Sequence, residues 1–192
     1  MNTALLQGEL VRLVAANSET DADLFARWSR DAEYLRLEDS GVARPPSLKQ
    51  IKEDIQTWLE HDKPSEYAFV IRTLADNHAI GTIGLDGIRW SNGDAFVGIG
   101  IGDRDYWGRG YGTDAMRAIL RFAFMELNLR RVSLDVFEYN PRAIRSYEKA
   151  GFKHEGRLRQ ALNRDGRRWD MLFMGILREE WEGQNVDKTI WL

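Results

Sequence analysis

Residues 106–115 read Tyr-Trp-Gly-Arg-Gly-Tyr-Gly-Thr-Asp-Ala, so Gly108, Gly110 and Gly112 alternate with other residues. This run constrains the fold more than any other. It follows the alternating, strand-like stretch Ala95–Ile101 and precedes a helical pattern over Thr113–Leu127. A turn needs one or two glycines, and a third asks for bare backbone at the start of a helix. Peptide N–H groups there carry about half a positive charge, and glycine lets an anion approach them closely. The run also reads as a flexible connection whose glycines take positive φ. From these ten residues alone both readings stand.

The surroundings give the architecture. Strand-like runs Glu9–Val14 and Tyr67–Leu74 bracket a helical region. Asn17 or Ser18 can cap a first helix there, and Ser47 a second with Leu48, Ile51, Ile55, Trp58 and Leu59 at helical spacing. Asp76-Asn77 and Ser91-Asn92-Gly93 read as turns joining Tyr67–Leu74, Ala79–Arg89 and Ala95–Ile101 into an antiparallel meander. Past the glycines, Met116, Ile119, Leu120, Ala123 and Leu127 form one helical stripe, with Asp114, Arg117, Arg121 and Asn128 on the other face. Arg131–Phe137 alternates as a strand. Asn140-Pro141 opens another helix, because asparagine caps well and proline at the first helical position loses no hydrogen bond. Gly151 ends it as a left-handed cap, and Phe152–Gln160 with Arg168–Leu177 form a last hairpin. The expected fold is α/β: one mixed, mostly antiparallel sheet with helices on both faces. A chain of 192 residues fits a single domain, 1–192, in which 178–192 is a C-terminal extension ending in Ile190-Trp191-Leu192.

Several function classes are disfavoured. With no cysteine, a thiol nucleophile, a disulfide framework and a thiolate metal site are excluded. His61, His78 and His154 have no local metal-ligand spacing, so no metal is expected. A net charge of −3 argues against nucleic acid, and no apolar run approaches a membrane span. The start, MNTALLQGELVRL, lacks the pattern of a signal peptide, and a cytoplasmic location is expected.

The anion under the glycines is narrowed by what is missing. No G-x-x-x-x-G-K-[ST] occurs. Gly110–Ala115 does satisfy the dinucleotide pattern G-x-G-x-x-A, with Asp135 on the next strand, which leaves a nicotinamide-dependent oxidoreductase as an alternative. Against it, Asp103–Trp107 separate the glycines from their strand, and one βαβ unit is visible where several are needed.

The stretch Asn140-Pro-Arg-Ala-Ile-Arg-Ser-Tyr-Glu-Lys-Ala-Gly-Phe152, together with Trp107–Thr113, resembles the GNAT superfamily of acyl-CoA-dependent N-acetyltransferases, in its RimJ/RimL-like branch. The resemblance implies acetyl-CoA as co-substrate and a primary amine on a small molecule or peptide as acceptor. Trp107 stands where the general family pattern has Gln or Arg. The implied grip on the coenzyme A pyrophosphate comes from Trp107, Gly108, Arg109, Gly110, Tyr111, Gly112 and Thr113. Arg109 reads equally as a phosphate ligand or as a solvated loop residue. Ala95–Ile101 matches the family strand that splays from its neighbour, and Ile99, Gly100 and Ile101 would bind the pantetheine arm through their backbone.

Asn140 would contact the cofactor near the splay, although helix capping alone explains it. Arg142 and Arg145 lie on the polar face of this helix, where one of them reaches the adenosine phosphates or both face solvent. Tyr147 shares the inward face of Ala143 and Ile144, and the resemblance makes it the acid that protonates the departing thiolate. A tyrosine that only packs the helix is the other reading, and with it a non-catalytic acyl-CoA-binding module of the same fold. The proton acceptor is open among Glu38, Asp39, Asp86 and Asp135. Residues 28–46 and the Gln160–Trp169 hairpin should border the acceptor pocket. A homodimer is compatible with the family and with the apolar tail.

Overall fold

A computed structural model describes residues 5–60 and 64–185. The apolar end Ile190-Trp191-Leu192 and His61 lie outside the described residues. Seven strands form one sheet in the order β1-β2-β3-β4-β5-β7-β6, with ranges β1 Val11–Val14, β2 Tyr67–Thr73, β3 Ala79–Arg89, β4 Asp94–Ile101, β5 Arg131–Phe137, β6 Lys153–Arg164 and β7 Arg167–Leu177. Six helices accompany them: α1 Ser18–Trp28, α2 Ala32–Glu38, α3 Leu48–Glu60, α4 Tyr111–Arg121, α5 Pro141–Ala150 and α6 Arg178–Asn185.

Local chemistry explains most boundaries. The Asn17 carboxamide oxygen accepts from the N–H groups of Glu19 and Thr20 at 2.9 and 3.3 Å, and Ser47 Oγ accepts from Gln50 at 3.2 Å, so both expected caps are formed. Asn140 Oδ1 accepts from the Ala143 N–H at 3.1 Å, and Gly151 closes α5 with φ 103°. The β6–β7 turn is Asp165-Gly166, both at positive φ, which matches the strand twist of a two-residue hairpin.

The sheet serves two cores. Val70 and Ile71, successive residues of β2, point to opposite faces as a strand requires. Val70 packs with Phe25, Trp28, Ile51 and Ile55 of α1 and α3. Ile71 belongs to the larger core with Met116, Ile119 and Leu120 of α4 and with Tyr147 and Ala150 of α5.

Three expectations need correction. Asp114 does not lie on a polar outer face: it is buried, and its carboxylate accepts the N–H groups of Glu9, Leu10 and Val11 at 3.0, 2.8 and 3.0 Å. These bonds tie the segment at the start of β1 to α4, and β1 itself runs from Val11. The central helix starts at Tyr111, directly after Gly110, and beyond Arg121 it widens into a π turn over Phe122–Glu126. The third is α2, a helix within the 28–46 stretch for which no element was expected. No residue of α2 is buried, so it carries no apolar stripe by which periodicity could find it.

The one parallel pairing among the described strands is β4 with β5, and it spans only Asp94–Phe96 against Arg131–Ser133. A doubly wound dinucleotide fold needs successive parallel neighbours, so that alternative loses its scaffold. Beyond Phe96 the two strands part, which is the central splay that the family resemblance implies.

Candidate active site

The parting of β4 and β5 opens a cleft of about 450 Å³. One wall is the end of β4 from Phe96 to Ile101, another the glycine loop, and a third the first two turns of α5. Because β5 leaves, the β4 edge beyond Phe96 has no ladder partner on that side. Backbone amides on such an edge are available to an extended ligand.

The loop meets this edge through defined contacts. A 3-10 turn, Arg104–Tyr106, follows β4. The Trp107 indole N–H then donates to the Ile101 carbonyl at 2.6 Å, which pins the loop to the strand end. The Arg142 guanidinium lies over the Trp107 ring at 3.7 Å, and that of Arg104 at 5.0 Å. Gly108 and Gly110 have φ of 71° and 93°, conformations that a side chain resists. Gly110 is the cap of α4 and no side chain caps that end, so the positive end of the helix faces the cleft wall. Gly112 is different. Its φ is ordinary, and an added Cβ would have Ile101, Ser146 and Ile99 at 3.8–4.0 Å, plain van der Waals contact. The fold does not demand glycine here, but a ligand lying against the backbone would.

Helix α5 runs alongside. Thr113 Oγ1 and Ser146 Oγ are 2.8 Å apart and tie it to α4. Tyr147 is buried, touches the cleft, and packs near Phe152 with ring centroids 6.1 Å apart. Burial foremost, then the charges of Glu38 and Asp135, push its phenol above the ordinary range near ~10. It therefore stays protonated at neutral pH.

The opposite wall is α2. Asp31 caps it, accepting from Glu33 and Tyr34 at 3.0 and 3.3 Å, and pairs with Arg104. At the other end, Tyr139 donates to the Arg36 carbonyl at 2.7 Å. The β6–β7 tip closes over it: Arg36 pairs with Asp165 at 2.6 Å, and Arg164 donates to the carbonyls of Asp39 and Gly41 at 3.0 and 2.6 Å. Tyr34, Leu37 and Glu38 thereby face the cleft. Glu38 lines the cleft and remains exposed. Crowding by the protein around its carboxyl pushes it up to about 7; the hydrogen bond from Tyr34 opposes the rise, and the Asp39 charge adds to it. Across the cleft, Asp86 of β3 is raised by burial and by Glu66 and Asp135, and Asp135 of β5 by burial.

The sequence pattern described as an acetyltransferase (GNAT) domain matches residues 11–153. The chain belongs to the GNAT acetyltransferase family. It is 33% identical over 175 residues to the SPbeta prophage-derived uncharacterized N-acetyltransferase YokL of Bacillus subtilis, covering 91% of this chain and 94% of that protein. It is 27% identical over 167 residues to the uncharacterized N-acetyltransferase p20 of Bacillus licheniformis, covering 85% and 90%. Among solved structures, spermidine N-acetyltransferase from Vibrio cholerae in complex with CoA and spermine superposes with a TM-score of 0.78 at 25% identity, covering 89% of this chain and 97% of that one.

The GNAT cleft gathers most of the residues singled out in the sequence. Ile99, Gly100, Ile101, Trp107, Gly108, Gly110, Gly112, Thr113, Asn140, Arg145 and Tyr147 line it. Arg109 and Tyr111 do not. Arg109 donates to the Asp105 carbonyl at 3.0 Å and lies near the rings of Tyr106 and Tyr111, which meet edge to face at 5.0 Å. Asp39 does not line the cleft, whereas Glu38, Asp86 and Asp135 do. Sequence reasoning set residues 28–46 at the acceptor pocket without singling out Tyr34, and it missed Phe96 and Gly98 as cleft residues. For Tyr34 a signal existed, since Asp31 is a good cap two residues before an acidic first turn.

Proposed function

We propose that this acetyltransferase moves an acetyl group from acetyl-CoA directly to a primary amine, and that it belongs with the RimJ/RimL-like branch. The observation that carries the reading is the arrangement around Gly112: a side-chain-free, uncapped helix start faces the same cleft as the open β4 edge and the Tyr147 phenol. The residues present fit the donor. Gly108, Gly110 and Gly112 clear a path to the α4 amides for a diphosphate, with Arg145 beside it. The backbone of Ile99 and Ile101 offers hydrogen bonds to an extended pantetheine arm and to the oxygen on which charge develops. Tyr147, held neutral by burial, supplies the proton that the departing sulfur needs. Asn140 fixes the start of α5 and borders the splay.

A cationic acceptor suits the other side of the cleft, where Glu38, Asp86 and Asp135 face in without a bound counter-cation among the described residues. The comparison with a spermidine N-acetyltransferase supports an amine acceptor, and protein N-termini, polyamines and smaller amines all present one. Thiol release from acetyl-CoA against a panel of spermidine, 1,4-diaminobutane and a peptide with a free N-terminus tests the reading. Turnover with one of them is expected. No turnover with any, together with no rise in melting temperature on adding acetyl-CoA, overturns it.

A further inference from the structure

The inference concerns the proton that an ammonium acceptor must lose, and it rests on the acetyl-transfer reading of this cleft. Phe96, Gly98 and Gly100 alternate onto the face of β4 that looks toward α2. A Cβ at Gly98 would meet nothing within 4 Å, whereas a Cβ at Gly100 would strike the Glu38 carboxylate. Glu38 thus reaches from the last residue of α2 onto the backbone of the splayed strand, beside an empty floor large enough for a substrate nitrogen. Its charge is felt by the Tyr147 hydroxyl on the far wall.

Nothing about this placement serves stability. A carboxylate at the C-terminal end of a helix opposes the helix dipole. Asp39 adds a like charge next door, and Arg36 turns away to Asp165. Among the described residues Glu38 has no ion-pair partner, only the Tyr34 hydroxyl.

We propose that the Glu38 carboxylate accepts the proton of the substrate ammonium before its nitrogen attacks the thioester carbon. The neutral nitrogen then forms the N–C bond, the C–S bond breaks, and Tyr147 gives its hydroxyl proton to the thiolate. The second nitrogen proton restores the Tyr147 hydroxyl as the amide forms, and Glu38 releases the first to solvent, so one proton leaves per turnover. Tyr34 and Asp39 act on Glu38 from its own segment and Tyr147 from α5, while Arg142, Arg145 and Lys149 of α5, Asp86 of β3 and Asp135 of β5 share the cleft with it. Although Glu38 remains exposed at the cleft, crowding by surrounding protein raises its carboxyl to about 7, a suitable value for a base working at neutral pH. Tyr34 is a positioning residue, whose hydroxyl favours the charged carboxylate.

The test measures thiol release with acetyl-CoA and whichever of spermidine, 1,4-diaminobutane or the free peptide turns over, from about pH 5.5 to 9.5. Wild type should show an inflection near 7. Glu38→Gln should lower kcat roughly 100-fold at neutral pH, remove the inflection and leave a rate that climbs only with the free-amine fraction. Its melting-temperature rise with acetyl-CoA should match wild type. Tyr34→Phe should move the inflection to higher pH, because the charged form loses a hydrogen bond. Glu38→Asp should keep the inflection at reduced rate, and it serves if the glutamine variant fails to fold. A Glu38→Gln enzyme with the wild-type rate and inflection overturns the proposal and leaves acetyl transfer intact. So does a Tyr34→Phe enzyme whose inflection is unmoved. A wild type inert toward all three amines, with no rise in melting temperature on adding acetyl-CoA, overturns acetyl transfer itself.

Discussion

The Asp114 carboxylate accepts the backbone N–H of Leu10 at 2.8 Å across 104 residues of chain. With the bonds to Glu9 and Val11, it fastens the N-terminal segment to the first turn of α4, where an acid also meets the positive end of the helix. Asp114→Ala orphans these donors, one of them fully buried. The expected loss is about 3 kcal/mol. For a chain of this size that is a fall in melting temperature of roughly 6–12 °C, measured by calorimetry. A loss under about 1 kcal/mol would mean that water replaces the carboxylate.

Gly112→Ala separates stability from binding. The added methyl meets only ordinary contacts, and alanine is the better helix former by about 0.5–1 kcal/mol. The variant should melt no lower than wild type. Its affinity for acetyl-CoA, by titration calorimetry, should fall more than roughly tenfold, since about 1.4 kcal/mol of lost diphosphate contact suffices. Unchanged affinity would place the diphosphate elsewhere.

Tyr147→Phe keeps the ring and removes the proton. The expected result is a kcat lowered by about 10²–10⁴, with acetyl-CoA affinity retained. Because burial holds the phenol above its ordinary range, any alkaline loss of activity due to Tyr147 should appear only beyond about pH 10. Full activity in the variant would remove the acid role.

Asp31 makes acid stability depend on α2. The hydrogen bond from Arg104 is the main cause that holds its carboxyl down at about 2. A depressed carboxyl stabilises the fold above its unfolded value near ~3.9 and loses that contribution as pH falls through about 2. Arg104→Ala should therefore melt lower than wild type above about pH 4, and the two should converge toward pH 2. A gap that persists at pH 2 would assign the effect of Arg104 to packing on Trp107.

Much of this was legible in the chain. Asn17, Ser47 and Asn140 announced caps that form, and Gly151 announced the end of α5. Each of these depends on bonds within a few residues. Asp114 misled for a related reason: on a helical wheel it falls opposite the apolar stripe, and only the arrival of Glu9–Val11 from far along the chain buries it. Helix α2 escaped because its face meets a ligand cleft and a hairpin tip, so it needs no apolar period. Arg109 illustrates the converse. A loop arginine among glycines suits a phosphate by sequence, but its guanidinium is engaged by the Asp105 carbonyl and the neighbouring aromatic rings.

By itself the sequence determined the strands, most helices, the glycine-led start of α4 and the family, because these follow from periodicity, capping and backbone freedom over short spans. Tertiary structure alone decided that Glu38, Tyr147 and the bare β4 edge share one cleft. Their meeting depends on how far β4 and β5 diverge and on how the β6–β7 tip holds α2. Those are balances of packing between segments distant in the chain, across 129 residues for Arg36 and Asp165, which no local pattern records.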